Sequence, residues 1–156
     1  MYMVEKNLVE RNCILLDQEI HSFEEVIQLI GKEFESAQIV KPSYVEAVIE
    51  REKVFPTGLA ADGHTIAIPH TDPEHVLRPG MGVVVTKEPI EVSMMGSPDI
   101  KLQSNIFFPL AMEHPKKQLD LLRQLMSIFK TKEDLDTIRA AKTPDDVLAV
   151  TSKIKW

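Results

Sequence analysis

The spacing of apolar positions changes twice along the 156-residue chain, from helical to strand-like and back again. Ser22 followed by Glu25 is a capping-box signature, and Phe23, Val26, Ile27, Ile30 and Phe34 recur behind it at helical spacing. Ser43 and Glu46 repeat the signature. They predict a second helix running to about Lys53, with Val45, Val48 and Ile49 on its buried stripe and Pro56-Thr57-Gly58 ending it. Thr65–Ile68, Gly82–Thr86 and Asn105–Leu110 are then short, apolar or β-branched runs bounded by Gly, Pro or Asp, which is strand chemistry; Ile90–Met94 is a fainter fourth. Helical spacing returns from Lys116, with Leu119, Leu122, Leu125, Met126 and Phe129 as one stripe and Pro115 as its starter. A shorter helix is predicted around Glu133–Ala140. The last begins at Thr143-Pro144-Asp145-Asp146, which combines a cap, a proline at the first position and acids at the positive end.

Without a low-complexity linker or internal repeat, the chain 1–156 reads as a single α/β domain. The expected architecture is a mixed sheet of about five strands with helices on both faces, because that arrangement buries all the stripes. Aromatics are only 6%, so Leu, Ile, Val and Met must fill most of the core. A net charge of -6 argues against nucleic acid as a partner, since phosphate backbones call for clustered Lys and Arg. The N-terminal Met-Tyr-Met-Val-Glu-Lys-Asn carries charges where a signal peptide needs an apolar run. The longest apolar stretch, Ile106–Met112, is far short of the ~18 residues a membrane span requires. A cytoplasmic protein with no membrane insertion is expected. The single Cys13 excludes an internal disulfide, and its apolar surroundings read as buried and inert.

Nucleotide, dinucleotide, zincin and Gly-x-Ser-x-Gly motifs are all missing. Five histidines remain. In Ile66-Ala67-Ile68-Pro69-His70 a strand stops at a proline that cannot donate to a sheet ladder, so His70 arrives at a rigid strand end. A neutral imidazole has one ring nitrogen with a free lone pair, able to attack phosphorus without a separate base. On residue type alone, a histidine that merely closes a strand end is the plainer reading. Leu110-Ala111-Met112-Glu113-His114-Pro115 has the same design, and His114 is either a second group at the same cleft or simply the residue that opens a helix. His64, His70, Asp72 and His75 invite a metal reading, but roughly 20 Å of strand at ~3.3 Å per residue would separate His64 from His70. No metal and no cofactor are expected.

The run Ile66–His70 resembles the active-site motif of the mannitol/fructose-type enzyme IIA domains of the sugar phosphotransferase system. Supporting features are Arg51-Glu52 upstream, the Thr57-Gly58 turn, the strand ending in His114 and the helix carrying Gln118-Leu119 and Leu122. Phe55-Pro56-Thr57-Gly58, His75 and Gln118-Leu119-x-Leu121-Leu122-Arg123 look most like the galactitol branch, and the likeness spans roughly residues 7–150. The resemblance implies an α/β fold and a phosphotransferase activity in transport of a galactitol-like sugar or sugar alcohol. It implies the phosphocarrier protein HPr as donor and a cysteine of a IIB protein as acceptor. His70 would take the phosphoryl group, with Arg51 and His114 holding its oxygens and Thr57 among the phosphate-binding or stabilising residues. The chain departs from the wider family in keeping only Gly63 of a glycine-rich approach and in placing Thr71-Asp72 after the histidine. Two other readings are a nitrogen-type enzyme IIA that signals by its phosphorylation state, and a non-catalytic interaction module.

Overall fold

A computed structural model describes residues 8–61 and 63–155; the N-terminal heptapeptide just discussed lies outside them. In chain order the elements are β1 (Ile14–Gln18), α1 (Phe23–Ser36), α2 (Tyr44–Val54), β2 (Gly58–Ala61), β3 (His64–Ala67), β4 (Gly80–Met81), β5 (Val83–Met94), β6 (Ser97–Phe107), β7 (Leu110–Ala111), α3 (Pro115–Phe129), α4 (Lys132–Ala140) and α5 (Pro144–Thr151). Two 3-10 turns, Arg11–Cys13 and Pro73–His75, complete the list.

Alternation along the central strands sorts the core into two layers. Ile66, Val83, Val85 and Ile106 pack with Leu121, Leu125, Ile128, Leu135, Ile138 and Val147 of α3, α4 and α5. Their neighbours Ala67, Val84 and Phe107 pack with Val26, Ile27, Ile30, Phe34, Tyr44 and Val48 of α1 and α2. Successive side chains of a strand face opposite ways, so each strand feeds both layers, and helices cover both faces of a five-stranded mixed sheet as expected. Cys13 is fully buried in the second layer, and burial pushes its thiol up to about 12.

Four strands close on themselves. β5 and β6 form an antiparallel hairpin, β6 runs parallel to β3, β3 antiparallel to β2, and β2 returns to β5 where Gly58 meets Met94. β1 pairs with β5 on the open side, its register shifting between Leu15 and Gln18 beside the left-handed Asp17. The closing contact is tight: a Cβ on Gly58 would lie 2.6 Å from the Ser93 carbonyl oxygen. Backbone cannot yield as a flexible side chain can. Gly58→Ala should therefore destabilise the fold by about 1–3 kcal/mol, as overpacking does; a chemical-denaturation midpoint equal to wild type would refute this.

Several expectations change in detail. Val83–Thr86 of the expected Gly82–Thr86 strand and Ile90–Met94 are parts of one strand, β5. Asn105–Leu110 is the end of β6 plus β7, broken at Phe108-Pro109 because proline cannot donate. The α3 stripe is Leu121, Leu125, Ile128 and Phe129, so Leu125 and Phe129 hold while Leu119 and Met126 are exposed. The Ser43 capping box does not form: Ser43 has helical dihedrals, makes no cap bond, and its hydroxyl meets His75 Nδ1 at 2.8 Å. Ser22 and Thr143 do cap, the latter in a reciprocal box with Asp146.

Candidate functional site: the end of β3

β3 carries the chain towards His70 with β6 alongside in the same direction, Ile66 opposite Ile106 and Ala67 opposite Phe107. The pairing outlasts the strands, since Phe108 N–H donates to the Ala67 carbonyl and Leu110 N–H to the Pro69 carbonyl, both at 2.8 Å. Two chain segments thus end side by side with their carboxyl ends together, where crevices of open α/β sheets form.

At that end His70 is half-buried, and its Nδ1 lies 2.7 Å from the Ile68 carbonyl oxygen. A carbonyl can only accept, so Nδ1 carries the proton and the lone pair of the neutral ring is on Nε2. Burial is the main cause that lowers the His70 pKa below its ordinary 6.5. The bond to Ile68 opposes it, the Arg51 charge adds to it and Asp72 opposes it. Desolvation outweighs the rest because imidazolium loses hydration that one backbone oxygen replaces only in part. The neutral, nucleophilic form is the one this environment favours.

Arg51 and Asp72 flank the histidine electrostatically. Arg51, in the last turn of α2, approaches Asp72 at 3.5 Å and stacks on the Phe55 ring with 5.1 Å to its centroid. Its Nε is buried and, among the described residues, is the one buried side-chain nitrogen or oxygen without a hydrogen-bond partner. Thr57 is buried, and its hydroxyl is already engaged. It donates to the Glu52 carboxylate at 3.0 and 3.1 Å and accepts the Ile68 N–H at 3.1 Å, while the Thr57 N–H reaches the same carboxylate at 2.8 Å. Burial raises Glu52 to about 7, against the opposing pull of both Thr57 bonds and of Arg51. Glu52 had no role in the sequence reading beyond its place beside Arg51. Nothing in its spacing separates it from the exposed acids of α2, and only the β2–β3 pairing reveals what it holds.

His114 is exposed and is the N-cap of α3, its Nδ1 accepting the Lys116 N–H at 3.3 Å. Two of the other histidines are engaged elsewhere, His64 with Asp136, and His75 with Ser43 and Glu74. Among the described residues no group of three or more His, Cys, Asp or Glu side chains is placed to hold a metal ion, and no helix is long and apolar enough to cross a membrane.

Residues 7–154 match the family described as phosphoenolpyruvate-dependent sugar phosphotransferase system, EIIA 2. The chain belongs to that family, whose members are phosphotransferases. Among its curated relatives, the ascorbate-specific EIIA component of Salmonella paratyphi A is 26% identical over 144 residues, 91% of this chain and 90% of that one. The galactitol-specific EIIA component of Escherichia coli is 28% identical over 114 residues, 73% and 75% of the two chains. The fold matches enzyme IIA of the mannitol system of Escherichia coli, solved in complex with phosphorylated enzyme IIB, with a TM-score of 0.76 and 22% identity over 94% of this chain and all of the other. It also matches the nitrogen regulatory protein IIA-Ntr of Neisseria meningitidis, with a TM-score of 0.74 and 24% identity over 92% and 96%.

Proposed function

We propose that this enzyme IIA component carries a phosphoryl group on Nε2 of His70, as a cytoplasmic link between two other proteins. The observation that carries the reading is the hydrogen bond from His70 Nδ1 to the Ile68 carbonyl, which leaves Nε2 as the free nucleophile beside Arg51. In the first step the Nε2 lone pair forms a bond to phosphorus while the phosphohistidine bond of the donor, phosphorylated HPr, breaks and returns its electron pair to the donor imidazole. In the second, a cysteine thiolate of a IIB component attacks the same phosphorus, and the Nε2–P bond breaks with its pair returning to His70. Both transition states are loose, with charge spread over three equatorial oxygens, so positioning and charged donors supply most of the rate. Arg51 supplies charge and an unpaired Nε–H. Thr57 supports from beneath, its hydroxyl holding the Ile68 backbone. His114 opens α3 with its Nδ1 accepting, which places its own proton on Nε2 as a further donor.

The substrate of transport is proposed as a sugar or sugar alcohol of galactitol type. The galactitol-specific relative has the higher identity and the ascorbate-specific one the longer match, so both IIB acceptors belong in the test. Incubation with phosphoenolpyruvate, enzyme I and HPr should label the chain, and the label should pass to one IIB protein in preference to the other. Failure to take up phosphate would overturn the reading.

His114 gives a second test. Asn also caps helices well, so His114→Asn should keep both stability and most transfer, whereas His114→Ala should cost about 1 kcal/mol of cap energy and slow transfer as well. A lowered melting temperature with an unchanged transfer rate in His114→Ala would reduce the residue to a helix cap.

A further inference from the structure

We infer that Glu52 and Thr57 form a positioning relay that holds His70 in its Nδ1-protonated tautomer through the backbone of Ile68; the consequence for phosphoryl transfer rests on the function proposed above. The antiparallel register of β2 and β3 sets Gly58 opposite Ala67, so one step further Thr57 faces Ile68. There the backbone ladder gives way to a side chain, and the Thr57 hydroxyl takes the Ile68 N–H at 3.1 Å. Pro69 follows with no N–H to offer, so on its β2 side the last stretch before His70 is held by this bond.

A hydroxyl has one proton, and here its direction is forced. The ionised Glu52 carboxylate only accepts, so above its pKa of about 7 the Thr57 O–H points to Glu52 and an oxygen lone pair is left for Ile68. Without an acceptor at position 52 the hydroxyl would be free to rotate its proton towards other acceptors. Ile68 then passes the constraint on, since its N–H is fixed by Thr57 and its C=O receives the His70 Nδ1–H at 2.7 Å. These groups lie in adjoining planar peptides hinged at the Ile68 Cα, so fixing both restricts the φ and ψ that set the backbone course aiming the imidazole. Both Thr57 donors converge on the same Glu52 oxygen, at 2.8 and 3.0 Å, so the relay needs one acceptor oxygen and not a negative charge.

The test is nitrogen NMR of His70 in the full chain labelled with 15N-histidine, read beside the kinetics of phosphoryl uptake from phosphorylated HPr. Wild type should show a neutral ring protonated on Nδ1. Thr57→Val, nearly the same shape without the hydroxyl, should populate the other tautomer and lower kcat by roughly 10- to 100-fold with little change in KM for the donor, as misaimed groups do. Thr57→Ser restores the hydroxyl and Glu52→Gln keeps an acceptor oxygen, so both should return the wild-type nitrogen shifts and rates within about threefold. A wild-type ring protonated on Nε2, or wild-type shifts and rates in Thr57→Val, would overturn the relay. If wild type takes up no phosphate at all, the proposed function fails, and the nitrogen shifts alone still decide whether the relay holds the tautomer.

Discussion

A chain carrying His70→Asn should fold like wild type and take up no phosphate from phosphorylated HPr. Asn retains an N–H that can still donate to the Ile68 carbonyl, so the loop keeps its anchor while the nucleophilic nitrogen is gone. Label on the wild-type chain should be lost in acid and survive alkali, as an N–P bond does and a phosphoserine does not. Uptake by His70→Asn at even a tenth of the wild-type rate would move the acceptor to another residue.

The same environment predicts how the reaction responds to pH. Burial lowers the His70 pKa below 6.5, so the ring stays neutral and reactive at pH values where an exposed histidine has begun to charge. Wild-type uptake should hold as pH falls through 6.5 and decline only below it. The stability linkage has the matching sign. Below 6.5 the unfolded chain binds a proton that the folded chain resists, so this residue costs stability as pH falls, and His70→Asn should lose less stability between pH 7 and 5 than wild type. A wild-type uptake profile with its midpoint at or above 6.5 would contradict the burial account.

How far the sequence reaches depends on where each signal resides. The histidine at a strand end, the two covering layers of helices and the change of period were all legible, because Ile66-Ala67-Ile68-Pro69 and the helix stripes encode them locally. β1 and β2 were not read as strands. Ile14-Leu15-Leu16-Asp17-Gln18 is interrupted by a left-handed Asp17, and Gly58–Ala61 is three small residues and Leu59, whose strand character comes from pairing with β3. The front of β6, Ser97 to Gln103, is largely exposed and polar, and it is a strand because it pairs with β5 around the turn at Met95-Gly96, where Gly96 takes a φ of +77. At the site, His70 and Arg51 could be named from residue type and resemblance, but the tautomer of His70 could not. It depends on a carbonyl two residues back, and on a threonine and a glutamate that meet that peptide only after β2 and β3 pair.

Arg51→Ala should separate activity from stability more sharply than any other substitution at the site. Its guanidinium loses hydration without full repayment: Nε is buried without a hydrogen-bond partner, and the contact with Asp72 at 3.5 Å is partly open to solvent. An uncompensated buried donor is a cost to the folded state. Removing it should leave the melting temperature near wild type, because the lost packing on Phe55 is offset by relief of that cost. Transfer should suffer far more. In the loose transition state charge is spread over the equatorial oxygens as phosphorus passes between nitrogens, and a preorganised charged donor there contributes ~2.7–4 kcal/mol, so uptake should slow by roughly 100-fold or more. Arg51→Lys keeps the charge but loses the planar fork and the Nε–H, and should fall between the two. The stability result is diagnostic, since residues serving a reaction are often held at some cost to the fold. A marked fall in melting temperature with an unchanged transfer rate would make Arg51 only a favourable charge at the end of α2.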